Sequence, residues 1–179
     1  EQTIRKELQK EEKNLAELND SLKNEESLIQ RQEEELNAGK TSLQNKIDEL
    51  KKTLDKDIED LNSVLGDLSG YIDGSLVDGL LSDAEKITVK QNLVSMAKEK
   101  EDVDNQYNAI YNNSDLTGDN KSNLKTAYDL YCSKYNSLVS VINNIVNKEG
   151  LIDNTDQANL NKAFNDYRVA SGTYVENVN

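Results

Sequence analysis

The residues best placed to do chemistry are the carboxylates around Gly79. Asp78-Gly79-Leu80-Leu81-Ser82-Asp83-Ala84-Glu85 matches the second half of an EF-hand calcium loop: an acidic residue, a glycine, any residue, an apolar residue, and a glutamate at the closing position. A hard cation there also needs oxygen donors at the first and third loop positions. Those are Gly74 and Leu76, whose side chains carry none. The same stretch has a second reading. Ser82 and Glu85 stand three apart, the spacing of a capping box, in which each side chain satisfies the other residue's free backbone N–H at the start of a helix. A cruder copy, Glu149-Gly150-Leu151-Ile152-Asp153-Asn154-Thr155-Asp156, has Ile145 and Asn147 where calcium ligands belong. A capped turn accounts for both stretches, and no metal ligand is assigned.

Other chemistry is limited by residue type. The chain has no histidine, which removes Ser-His-Asp and Cys-His nucleophilic machinery and histidine metal sites. The single cysteine, Cys132, allows neither a Cys-rich zinc site nor an intrachain disulfide, and on a predicted helix among apolar neighbours it reads as a small buried thiol. No glycine-rich phosphate loop is present. Carboxylate pairs are plentiful, but they fall on predicted exposed helix faces, with no apolar pocket to raise a carboxyl pKa. No catalytic, cofactor-binding or metal residue is expected, and the chain is expected not to be an enzyme. Tyr107, Tyr111, Tyr128, Tyr131, Tyr135, Tyr167 and Tyr174 could stack on a ligand; packing in or beside a core is the preferred reading.

The elements that would position these residues are helices. Proline is absent from the 179 residues, 35% are hydrophobic and 31% charged, as suits long exposed helices. The net charge of -13 repels phosphate and argues against nucleic acid and anionic membranes. No apolar run approaches the ~20 residues of a membrane span. The sequence opens on Glu1 without a methionine, as a piece of a longer protein would.

Leu8, Leu15, Leu22, Ile29, Leu36, Leu43 and Leu50 recur every seven residues, with Ile4 and Leu18 on the same seam. That is a coiled-coil stripe, although Glu11, Glu25, Gln32 and Gly39 hold the companion position. From Ile47 the seam improves through Leu50, Leu54, Ile58, Leu61, Leu65, Leu68 and Ile72, with a stutter at the two successive four-residue steps from Leu50 to Ile58. At Asn37-Ala38-Gly39-Lys40-Thr41-Ser42 the helix either continues or folds back as an antiparallel hairpin. Preservation of the heptad phase from Leu36 to Leu43 favours continuity. Gly66, Gly70, Gly74 and Gly79 then punctuate a hinge.

Three amphipathic patterns follow. The first spans about 83–111, with Ile87, Leu93, Met96, Ala97, Val103, Tyr107 and Ile110 inward, and stops at Asn112-Asn113-Ser114. Thr117 caps the second, about 118–147, with Leu124, Ala127, Tyr128, Tyr131, Tyr135, Leu138, Ile142 and Ile145 inward. Asp153 caps the third, about 154–175, with Leu160, Ala163, Phe164, Tyr167, Ala170 and Tyr174 inward. The expectation is an all-α chain: a coiled-coil segment over 1–69, a Gly-rich hinge over 70–82 and an up-down-up three-helix bundle over 83–179.

Several stretches carry a resemblance. Gly70-Tyr71-Ile72-Asp73-Gly74-Ser75 leads into Asp78 through Glu85. Tyr107-Asn108-Ala109-Ile110-Tyr111-Asn112-Asn113, Leu116-Thr117, Leu124-Lys125-Thr126-Ala127-Tyr128, Tyr135-Asn136-Ser137-Leu138 and Ala163-Phe164-Asn165-Asp166-Tyr167 follow in order. Together, over roughly residues 70–179, they resemble the helical module of tail-fibre and tail-tip minor structural proteins of phages and prophages of Gram-positive bacteria. The resemblance implies a virion component with no catalytic residues. It would assemble as a homo-oligomer, a trimer by preference, with other tail proteins as partners, and serve as stalk and spacer for host recognition. Two alternatives stay open: a binding module for a bacterial cell-wall glycan or receptor, and a coiled-coil protein of the bacterial cell surface.

Overall fold

A computed structural model describes residues 1–75 and 79–178. Among them the regular structure is entirely helical: α1 Gln2–Ser75, α2 Asp83–Tyr111, α3 Gly118–Val146 and α4 Asn154–Asn177. The chain divides into two units, Glu1–Ser42 and Leu43–Asn179.

The first unit is a single helical stretch. Gly39 lies within α1, so the hairpin alternative is not the one adopted. One glycine in a helix costs only about 1 kcal/mol, less than the cost of breaking a register kept on both sides. Ile4, Leu8, Leu15, Leu18, Leu22, Leu28, Ile29 and Leu36 are all exposed, so the heptad stripe is uncovered in the single chain.

The second unit differs from the expected three-helix bundle. The later part of α1 belongs to it: Leu50, Leu54, Leu61, Leu65, Leu68 and Ile72 join one core with residues of α2, α3 and α4. The expected boundary at residue 70 therefore moves to residue 43, and the bundle has four helices. The expected hinge over 70–82 is corrected in the same way, because α1 continues through Gly66, Gly70 and Gly74 to Ser75. Burying Leu65, Leu68 and Ile72 returns about 1.5–3 kcal/mol per side chain, which exceeds the cost of the glycines. Asp78, in the stretch that matches half of a calcium loop, and Leu76 lie outside the described residues.

The two turns that resemble one another in sequence meet in space. The Ile152 N–H donates to the Gly79 carbonyl oxygen at 2.7 Å. Gly79 has φ +75°, the left-handed region that a Cβ disfavours, and an added Cβ would lie 2.8 Å from Leu151 Cβ. Gln157 Nε2, in the first turn of α4, donates to Ser69 Oγ at 3.2 Å and Asp73 Oδ1 at 2.8 Å on α1.

Burial repeats at a displacement of 70 residues between α1 and α3 and of 71 beyond the turns. Leu54, Leu61, Leu65, Leu68 and Ile72 of α1 correspond to Leu124, Tyr131, Tyr135, Leu138 and Ile142 of α3, and all ten are buried. Beyond the turns, Leu81, Val89, Met96, Val103 and Tyr107 correspond to Ile152, Leu160, Tyr167, Tyr174 and Val178, again all buried. The four-helix unit is thus two helical hairpins of one pattern.

The expected inner faces of α3 and α4 are those observed. On α2 the expectation needs correction: Ile87 and Ala97 are exposed, and Val89 is buried in line with Met96, Val103 and Ile110. The seven-residue step from Val89 to Ile110 sets that face.

Candidate functional site

Ser82 and Glu85 form the capping box at the start of α2. The Glu85 N–H donates to Ser82 Oγ at 3.1 Å, and the Ser82 N–H donates to Glu85 Oε1 at 3.2 Å. Asp153 and Asp156 do the same at α4, where Lys148 Nζ also pairs with Asp156 at 2.7 Å. The carboxylates that would close two calcium loops are therefore engaged with helix N-termini. Thr117 occupies the N-cap position of α3, but its side chain makes no cap hydrogen bond. Among the described residues no three Asp, Glu, Cys or His side chains converge as a metal-holding group.

The tyrosines gather in the core of the four-helix unit. Tyr131, Tyr167 and Tyr174 are fully buried, Tyr107 and Tyr135 nearly so, and Tyr111 and Tyr128 half-buried. Tyr107 and Tyr128 stack with centroids 3.6 Å apart and planes within 4°. Tyr174 stands edge-on to Tyr128 at 5.7 Å and to Tyr131 at 5.3 Å. Such edge-to-face pairs set positive ring edges against negative faces. Cys132 is partly buried against the same core.

One cluster departs from the expectation that carboxylates sit only on exposed faces. Asp57 of α1 is 5% exposed, and its Oδ2 has no hydrogen-bond partner. It occupies the core-facing register between Leu54 and Leu61, where the apolar periodicity had pointed to Ile58 instead. Around it, Leu61, Met96, Glu99, Lys100, Tyr131, Tyr135 and Tyr167 enclose a cavity of about 10 Å³, at the lower limit of room for one water. Burial, followed by the nearby charges of Asp60 and Asp102, pushes the Asp57 carboxyl up to about 7. Burial also raises Glu99, helped by a hydrogen bond with Asp60 and by the charge of Asp57. A carboxyl pKa can thus be raised here.

Lys100 does not neutralise Asp57. Its ammonium pairs with Asp104 at 2.6 Å and lies 5.5–5.9 Å from the ring centroids of Tyr128, Tyr131 and Tyr135. The Tyr128 hydroxyl donates to the same Asp104 carboxylate. Burial first, then the neighbouring Tyr167, pushes the Tyr135 hydroxyl up to about 12. The arrangement can hold a proton between helices. The space among these described residues is about 10 Å³, too small for a substrate.

Comparison with family models, curated proteins and solved structures finds no match to this chain.

Proposed function

We propose that the chain is a non-enzymatic structural segment of a phage or prophage tail, a stalk and spacer that carries host-recognition parts of a virion. The observation that carries this reading is the heptad stripe from Ile4 to Leu36, exposed along its whole length in the single chain. A helix with such a stripe is covered by other copies when it stands as a shaft in water. Self-association through residues 1–42 therefore accompanies the proposal, with three strands preferred. Multiple copies would turn weak surface contacts of the assembly into avidity.

Burial of Tyr131, Tyr167 and Tyr174 supports the spacer over the glycan- or receptor-binding alternative, since a ring inside the core is not available for stacking on a ligand. The cavity beside Asp57 is too small for a substrate, which supports a non-enzymatic role. Light scattering on the intact chain tests the proposal. A mass of three chains is expected, and a monomer at every concentration would remove the shaft and with it the tail-fibre reading.

A further inference from the structure

The α1–α2 seam carries ionisable groups that the hairpin pattern does not require. Where the first hairpin has Asp57, Glu99 and Lys100, the second has Ala127, Ala170 and Ser171, all buried. The second hairpin closes with small side chains at these places, so packing alone does not call for two carboxyls and an ammonium. Asp57 nevertheless points into the core with Oδ2 unpartnered. Glu99 of α2 lines the same cavity as Asp57 of α1. Two carboxyls gathered at one small cavity disfavour each other's ionised form, so the seam favours holding protons.

We propose that this seam is a proton-operated latch, in which protons held at Asp57 and Glu99 keep the α1 segment seated on α2, α3 and α4, and their loss releases it. The groups facing Asp57 fit that device. From α1 come Asp60 and the exposed Lys56, a cation that favours the ionised form. From α2 come Glu99 and Asp102, both acidic, and Lys100, whose ammonium is committed to Asp104 and three rings. From α3 come the hydroxyl-bearing rings of Tyr131 and Tyr135, and from α4 that of Tyr167. Burial and neighbouring carboxylates raise both Asp57 and Glu99 towards neutrality, which sets the range of the latch. The seated state therefore holds protons that the released state gives up, and release is favoured as pH rises.

Native-state hydrogen exchange on the full chain, corrected for intrinsic amide chemistry, reads the release at residues 50–72. Protection there should fall between about pH 5 and 7 by roughly tenfold per pH unit for each proton held. Amides of α3 over 124–142 should lose less. Asp57→Asn and Glu99→Gln should each flatten the slope, while Glu101→Gln on the exposed face of α2 should leave it unchanged. The latch is overturned by a flat response in the unmodified chain, or by an unchanged slope in both variants. It is also overturned by equal losses along α1 and α3, or by failure of Asp57→Asn to fold at neutral pH.

Discussion

Replacing Tyr174 by phenylalanine should stabilise the protein. Tyr174 is 0% exposed, and its hydroxyl is buried without a hydrogen-bond partner. An unsatisfied buried polar group of this kind costs about 1–3 kcal/mol relative to its hydrated state. Phenylalanine keeps the ring and its edge-on contacts with Tyr107, Tyr128 and Tyr131, so the aromatic packing term is retained. Removing one oxygen leaves a void of roughly 10 Å³, worth about 0.2 kcal/mol at the cavity coefficient for cores. The net gain is therefore about 1–3 kcal/mol, or a rise in melting temperature of roughly 3–12 °C for a unit of this size. Urea denaturation followed by circular dichroism would measure it, with an unchanged slope confirming that the unfolded state is unaltered. Tyr128→Phe is the internal contrast. Its hydroxyl donates to the Asp104 carboxylate, so the same deletion should cost about 1–2 kcal/mol. If Tyr174→Phe lost stability as Tyr128→Phe does, the hydroxyl would have a partner and the reasoning would fail.

Gly79→Ala should cost about 2–4 kcal/mol in thermal or urea melts, from a left-handed backbone and a Cβ pressed on Leu151. Gly118→Ala, also at positive φ but with nothing near its Cβ, should cost only about 1 kcal/mol, and equal losses would sink the steric part of the argument. Asp57→Asn should raise stability at about pH 8 by up to ~4 kcal/mol. The sign follows from a folded-state pKa of about 7 against an unfolded value near ~3.9: the penalty is absent below the lower value, grows between the two and is full above the higher. The gain should therefore vanish towards about pH 4, and a gain independent of pH would contradict it. Glu11→Leu with Glu25→Leu places apolar groups at the weak seam positions and should tighten self-association by at least roughly tenfold in sedimentation equilibrium. No change would mean that these positions do not face a partner.

The elements legible in the sequence were those with local signals. Ser82 with Glu85, and Asp153, marked two helix starts, and Asn112-Asn113-Ser114 marked a stop. The inner faces of α3 and α4 followed from three- and four-residue spacing, because their apolar residues have no competing stripe. On α2, Ile87 competed with Val89, and only the packing of the other helices decides between them. The end of α1 was missed for a related reason. Gly66, Gly70 and Gly74 weaken the local helix signal, whereas Leu65, Leu68 and Ile72 are buried by residues distant in sequence. Asp57 was hidden because apolar periodicity passes over a charged residue and selects Ile58 beside it. A heptad template applied strictly would have placed Asp57 between Leu54 and Leu61, and that misfit was the available signal.

The leucine stripe of residues 1–42 is proposed to be covered by other copies of the chain. Thermal melts by circular dichroism across about a hundredfold dilution test it directly, because the stability of an assembled helix depends on concentration by mass action. The transition carried by this stretch should move to lower temperature on dilution, while that of the four-helix unit stays in place. Curves that overlay at every concentration would contradict the account.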